Sequence, residues 1–349
     1  MATRHAEIAG AGFTGLVAAA ALCQRGWTVR VHECEPELRA DEAGLFLRGN
    51  GLAILNTIGV REDIIRSSHS APAWDVWVDG KLRSREATNV AGGARALTLT
   101  RQALHSAVLR RALEAGAEIV TSSRVVGARP DGALLLDSGR ALQADLVIGA
   151  DGVASAVRES LGIPVQRRRF RDGIIRVLAE RGGHTGGQWD HIMDCWAIRE
   201  RTLRILYSPC NATTVYFAMM APSDDPQACA IPVDAGLWSE YFPALAPFLV
   251  SLGGRGRYDV YEATAPGSWS AGRVAIVGDA ANAMPPTLGQ SAGLAMTNAC
   301  TMAAALDQAP TVEDGLRLWE KRERPMTDDT QRRAEELAAM GKDRVNLSP

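Results

Sequence analysis

The chain is 349 residues long, enough for two domains or one large one. A formal net charge of -2 and a pI near 6.3 exclude any global attraction to nucleic acid or anionic membrane. Its cysteines (Cys23, Cys34, Cys195, Cys210, Cys229 and Cys300) show neither CxxC nor metal-ligand spacing, so no metal is expected; with no signal peptide, a reducing cytoplasm is the natural setting.

The chain opens with an apolar strand, Ala6–Ala9, then Gly10-Ala11-Gly12-Phe13-Thr14-Gly15 and an Ala-rich helix to about Arg25. Gly26 stops that helix, Trp27–His32 is the next strand, and Glu33 stands at its end beside Cys34. A lone GxGxxG is weak evidence, but here strand, glycines, helix, strand and acid form the whole dinucleotide fingerprint. Gly10 makes the tight turn, Gly12 admits the pyrophosphate, Gly15 lets helix and strand pack, and Glu33 can accept hydrogen bonds from a ribose. Beyond it, Glu35–Arg39 leads into a turn containing Gly44, and Leu52–Ile58 is a short helix stopped by Gly59.

Between Pro72 and Arg85 the pattern becomes that of a sheet. Trp74, Val76 and Val78 alternate with Asp75, Trp77 and Asp79, and Asp79-Gly80 is a hairpin turn. A helix over Thr100–Ala115, the strand Glu118–Val120 and a hairpin of Ala133–Leu136 with Ala141–Val147 follow, running into Gly149-Ala150-Asp151-Gly152. Ile174–Leu178, Thr202–Tyr207 and Thr214–Met220 are β-rich, and Trp238–Leu252 is a helix interrupted by Pro243 and Pro247. The strand Val274–Val277 turns on Gly278-Asp279 into a Pro285-Pro286 loop and a small-residue helix beginning near Ser291. No charge occurs from Ala280 to Leu306, yet Asn282, Pro285, Pro286, Gly289 and Gln290 break the apolar run, which argues against a membrane span. The helix start at Gly289, Gln290, Ser291 and Ala292 is suited to delocalised negative charge on a ligand. Helices around Leu316–Arg322 and Met326–Met340 end the chain.

GAGFTG with Glu33, DLVIGADGVASAVR (Asp145–Arg158) and RVAIVGDAANAMPP (Arg273–Pro286) together resemble the three signatures of the flavoprotein aromatic hydroxylases, FAD-dependent monooxygenases with the p-hydroxybenzoate hydroxylase fold. The resemblance spans nearly the whole chain. It implies an α/β fold: a Rossmann-like FAD-binding domain carrying an inserted, mainly antiparallel β substrate domain. The expected division is 1–71, 98–165 and 263–349 for FAD, with 72–97 and 166–262 for substrate. By resemblance Phe13, Thr14, Arg39, Arg101, Asp151 and Asp279 contact FAD, and Pro285, Pro286, Gly289 and Gln290 lie along the isoalloxazine. The plainer readings are that Asp151 caps the helix Ser155–Leu161, that Arg39 and Arg101 are surface charges, and that Asp279 is a turn residue. Asn282 replaces a common His, and Gly293 and Asn298 replace an Asn and an acid of the usual GQGANLAMEDA.

Within that family, DGIIR (Asp172–Arg176), RILYSPCN (Arg204–Asn211), Met220-Ala221-Pro222 and RYDVYEAT (Arg257–Thr264) resemble the hydroxypyridine-carboxylate oxygenases, which hydroxylate and open their ring. The substrate arginines then fall on Arg176 and Arg204, pocket tyrosines on Tyr216 and Tyr261, and a third tyrosine position on Trp74. A strand arginine needs an anion, which is either a substrate carboxylate or an Asp or Glu of the same domain; the tyrosines serve equally well as core aromatics. The reaction so implied has NADH or NADPH reduce FAD, O2 form a flavin C4a-hydroperoxide, and the aromatic ring take oxygen from it. No residue is an obligatory general base, the partners are small molecules only, and the chain is a monomer or homodimer. The competing readings are a flavin-dependent halogenase, a flavin-free binding protein on the same fold and an NAD dehydrogenase. The halogenase Trp-x-Trp-x-Ile-Pro segment and active-site Lys are both missing, the intact GDAA and Pro285-Pro286 loop argue against a flavin-free protein, and an NAD dehydrogenase leaves the second and third signatures unexplained.

Overall fold

The computed structural model describes residues 3–38, 42–90, 96–341 and 343. The fingerprint strand His5–Ala9 lies in a six-stranded sheet, between Leu146–Gly149 and Thr28–His32 and parallel to both. Val274–Ile276 extends that sheet beyond Leu146–Gly149, and Glu118–Val120 extends it beyond Thr28–His32, again in parallel. Its central strands are buried on both faces, which is why they read as near-continuous apolar runs. The helices Phe13–Cys23 and Ser291–Leu306, both rich in small residues, are buried in one core with these strands.

The second sheet has seven strands in the order Arg257–Pro266, Val165–Glu180, Thr214–Pro222, Thr202–Pro209, Ile192–Ile198, Ala73–Val78 and Lys81–Ala87. All neighbours are antiparallel except Ile192–Ile198 with Ala73–Val78. The hairpin turns on Asp79 and Gly80, both with positive φ. Period-two alternation gives each strand two faces. One buries Ile175, Val177, Tyr207 and Phe217 under the helices Ala235–Tyr241 and Ala246–Ser251. The opposite face carries Trp74, Ile174, Leu206, Tyr216, Ala218 and Tyr261.

Several local expectations are corrected. Gly44 begins a strand, Gly44–Arg48, paired with Ala96–Thr100, and it is glycine there because a Cβ would come within 2.5 Å of the Tyr216 side chain. Arg61–Ser67 is an additional helix, and Ile192–Ile198 an additional strand. Ala141–Val147 is divided between a hairpin arm, Ala141–Gln143, and the parallel strand Leu146–Gly149. The two final helices are one, Val312–Met340, continuous through Pro325. Tertiary packing of Leu316, Trp319, Thr327, Gln331 and Ala334 carries it past the missing N–H. Among the described residues no helix is long and apolar enough to cross a membrane.

Gln331 is the polar anchor of this last helix. Its buried amide donates to the carbonyls of Thr264 and Ala283, each at 2.9 Å, tying the helix to the strand and loop leading to Pro285. Gln331→Leu should lower stability by about 1–3 kcal/mol, the cost of leaving buried carbonyls short of donors. Thermal unfolding of the FAD-loaded protein checks this; an unchanged midpoint would mean the anchor is dispensable.

Candidate functional site

The three signatures meet at the carboxyl ends of the parallel strands, and each pair is locked by a close approach. Gly10 has φ +96°, and a Cβ on it would lie 2.4 Å from the carbonyl oxygen of Ala150. A Cβ on Gly278, at φ +63°, would lie 2.6 Å from Thr14 Oγ1. Arg158, fully buried, donates to the carbonyls of Ala280 (2.9 Å) and Val153 (2.8 Å), joining the second signature to the third. Helix and turn also touch, since a Cβ on Gly15 would sit 2.0 Å from the Gly10 carbonyl oxygen. Gly12 is different. It caps the helix Phe13–Cys23 in an extended conformation, and a Cβ there meets nothing within 4 Å. Open backbone at a helix N-terminus is where an anionic pyrophosphate is favoured.

Glu33 is held at its strand end by backbone donors: Ala11 N–H to Oε2 and Glu35 N–H to Oε1, both at 3.0 Å. Burial would raise its carboxyl, but these donors and the Cys34 thiol more than offset it, so it lies below the ordinary carboxylate range. Cys34 itself is exposed, with Sγ 3.2 Å from Glu33 Oε1. Buried His105, which sequence reasoning missed, bonds through Nε2 to the Ala11 carbonyl at 2.9 Å. Because a carbonyl only accepts, Nε2 carries the proton, and His105, Ala11 and Glu33 form one chain supporting the glycine loop.

Arg101 sits with its guanidinium carbon 5.1 Å from the Phe13 ring centroid, and its Nε is buried without a partner. Asp279 opens onto the same cleft but is ringed by protein; that burial raises its carboxyl, against the opposing pull of Arg101 and Arg176. Asp151 does support its helix, accepting from Val157 N–H at 3.1 Å, although Ser155 is the N-cap and Asp151 Oδ1 is left buried and unpartnered. Asn282 Oδ1 is likewise buried and unpartnered. These orphaned polar atoms and the open backbone at Gly12 fit a large polar-edged group such as FAD. Arg39 lies outside the described residues.

Pro285 is buried and Pro286 exposed in a short 3-10 turn, Pro286–Leu288, followed by Gly289 in the left-handed region beside Phe46. Thr287 Oγ1 fastens the turn to the Ala334 carbonyl at 2.8 Å. The helix Ser291–Leu306 starts after Gln290 with no side-chain cap, so the first-turn N–H groups near Ser291 and Ala292 are offered to a ligand. Two departures from the usual signature now have structural accounts. Gly293 packs against the helix Gly49–Ile58, its Cα 3.4 Å from where a Cβ on Gly51 would stand. Asn298 Nδ2 bonds Thr327 Oγ1 at 3.1 Å, joining two helices.

The strand register puts Trp74, Arg176, Arg204, Tyr216 and Tyr261 on one face of the seven-stranded sheet. Trp74 lies between Phe46, with ring centroids 5.6 Å apart, and Arg48, whose guanidinium is 5.1 Å from the indole centroid. Tyr216 is buried, which raises its phenol against the nearby Arg176 and Arg101, so the sheet face and the Asp279 cluster adjoin. The two sheet arginines already have anions. Arg176 Nη1 donates to Asp259 at 3.0 Å, and Arg204 forms a bidentate pair with Asp194 at 2.6 and 2.8 Å. Asp194 escaped sequence reasoning because its strand did; the alternation of Ile192, Asp194 and Trp196 was the available signal. A cleft of about 930 Å³ is walled by Arg204, Tyr261, Trp196, Met220, Thr287 and the end of the last helix. Trp74, Arg176 and Tyr216 are not in that wall; Arg176 and Tyr216 lie on the Asp279 side.

The glycines predict a separable pair of defects. Gly12→Val should give folded but colourless protein, because its side chain projects into open space where the dinucleotide backbone must approach. Gly15→Ala should fail to accumulate as folded protein, since backbone must move to admit its Cβ. Circular dichroism and flavin absorbance distinguish them; normal flavin content in Gly12→Val would contradict the placement.

The family model for the FAD binding domain matches residues 3–332. The chain is 40% identical over 346 residues to 2-heptyl-3-hydroxy-4(1H)-quinolone synthase of Mycobacteroides abscessus, covering 98% of this chain and 92% of that one. It is 29% identical over 341 residues to 3-amino-4-hydroxybenzoate 2-monooxygenase of Streptomyces cremeus, covering 95% and 86%. Among solved structures it is similar to the tetrameric form of 2-methyl-3-hydroxypyridine-5-carboxylic acid oxygenase, with a TM-score of 0.93 and 44% identity over 97% of this chain and 91% of that one.

Proposed function

The chain belongs to the FAD-binding family of aromatic monooxygenases, and from that premise we propose that it hydroxylates an N-heteroaromatic ring bearing a hydroxyl or oxo substituent. The observation that carries this reading is the shared sheet face: Arg204 and Tyr261 line one cleft with Thr287 of the Pro285–Gln290 loop, while Tyr216 and Arg176 of the same face adjoin the Asp279 cluster. FAD, when bound, supplies electron storage from NADH or NADPH and the activation of O2. The protein's part is to bind, orient and exclude water. Gly12 and the start of its helix receive the pyrophosphate, Glu33 a ribose, and Arg101, Asp151 and Asp279 the remaining polar edges of the cofactor. The uncapped start of Ser291–Leu306 stabilises negative charge on the reduced ring system. The uncharged stretch from Ala280 to Leu306 keeps the reacting face dry.

Residues 72–97 and 166–262 serve as the ring-binding part. The halogenase reading draws no support, as Ala280–Leu306 contains no lysine. A cytoplasmic monomer or homodimer is the form we infer, and the tetrameric form of the hydroxypyridine relative makes size-exclusion chromatography informative. The test is NADH and NADPH oxidation by the FAD-loaded protein against hydroxypyridine, hydroxyquinoline and hydroxybenzoate panels, with peroxide quantified. Acceleration by an N-heteroaromatic without matching peroxide is expected. Acceleration confined to hydroxybenzoates, or by no ring at all, would overturn the reading.

A further inference from the structure

Asp194, Trp196 and Arg204 form one ionic unit on the ring-binding sheet face. Trp196 and Arg204 are direct cross-strand partners, and Asp194 precedes Trp196 by two residues on the same face. The Arg204 guanidinium carbon lies 4.7 Å from the Trp196 ring centroid, while Nε and Nη2 are consumed by the two carboxylate oxygens of Asp194. The side chains of Arg204 and Asp194 are only 10% and 6% exposed, so water does not dissolve the pair. We propose that Asp194 is a specificity-determining residue, acting through Arg204, that fits the pocket to an uncharged ring oxygen and rejects a ring carboxylate; this deepens, and rests on, the reading of this sheet face as the ring-binding wall.

The physical case is a charge balance. Asp194 neutralises Arg204, so a second carboxylate brought to this wall would be desolvated beside an existing anion with no counter-charge of its own. Arg176, another cation of the face, is paired with Asp259, a carboxylate it shares with Arg257. At the rim of the cleft Arg168, Arg171 and Arg201 are engaged too, with Glu335, Asp224 and Asp225, and of the arginines lining that rim only the solvent-exposed Arg169 lacks an ion pair among the described residues. An uncharged carbonyl or enol oxygen escapes that penalty. It needs one donor, and Arg204 keeps Nη1 clear of the Asp194 fork, in a guanidinium that lines the cleft next to Tyr261. The indole Nε1 of Trp196 is a further buried donor without a partner. Discrimination thus comes from an uncompensated charge raised against the wrong ligand, more than from extra contacts to the right one.

The test compares two probes that share a ring, 4-hydroxyquinoline and 4-hydroxyquinoline-2-carboxylate, binding to the oxidised FAD-loaded enzyme and followed by the flavin difference spectrum. Wild type should bind the uncharged probe at least about tenfold more tightly, a difference of about 1.4 kcal/mol. Asp194→Asn, which keeps the shape and removes the anion, should raise carboxylate affinity by about tenfold or more with little change for the uncharged probe. Equal or tighter carboxylate binding by wild type would overturn the proposal, and so would an unchanged affinity ratio in Asp194→Asn with normal flavin content. If Asp194→Asn does not fold, the wild-type ratio still decides. Carboxylates that stimulate NADH oxidation where uncharged rings do not would overturn the charge argument while leaving the monooxygenase reading intact. Failure of every ring to stimulate would remove that reading and the proposal with it.

Discussion

The structure depends on how closely three backbone segments approach one another at the ends of the parallel strands. Gly10 against Ala150, Gly278 against Thr14 and Arg158 against the Ala280 carbonyl join each signature to the other two. None of these contacts tolerates an ordinary side chain or a shorter cation at its centre. Once they are made, the open backbone at Gly12, the carboxylate of Glu33 and the cluster of Arg101 with Asp279 have fixed positions around one cleft. The cofactor site is in this sense a consequence of strand-end geometry, with its polar residues placed by a frame they do not build.

Charge is distributed in two ways around that frame. Around the strand ends polar groups are left unsatisfied: Arg101 Nε, Asp151 Oδ1 and Asn282 Oδ1 are buried without partners, and the surrounding protein raises the Asp279 carboxyl. On the ring-binding face the opposite holds, with Arg204 and Arg176 paired to Asp194 and Asp259. Burial alone would lower the Arg204 pKa, yet Asp194 carries it above the usual arginine value. One region therefore holds unpartnered polar atoms, while Arg204 and Arg176 of the other already have carboxylate partners.

Much of this was legible in the sequence, for reasons that can be named. Backbone-limited contacts leave glycines at fixed offsets, so the fingerprint and the GDAA turn could be read directly. Period-two alternation placed Trp74 correctly in a strand, and the Asp79-Gly80 turn closed its hairpin as its residue types require. What could not be read was long-range register. That Asp194 would face Arg204, or that Gly44 would sit in a strand under Tyr216, follows from pairings between distant segments. Pro325 misled for a related reason, because local propensity marks a break where tertiary burial of Thr327, Gln331 and Ala334 sustains one helix. At Asp151 the plainer reading holds in part, since one oxygen supports the helix that Ser155 caps while the other has no partner.

The central claim, that the site transfers oxygen from O2 to an aromatic ring, is tested most directly by turnover under isotopically heavy dioxygen with mass spectrometry of the organic product. The account predicts a product carrying one heavy oxygen atom, the other atom of that dioxygen leaving as water, with none drawn from water in the initial hydroxylation. A product whose new oxygen comes from water, or NADH oxidation that yields peroxide alone with every ring, would contradict it.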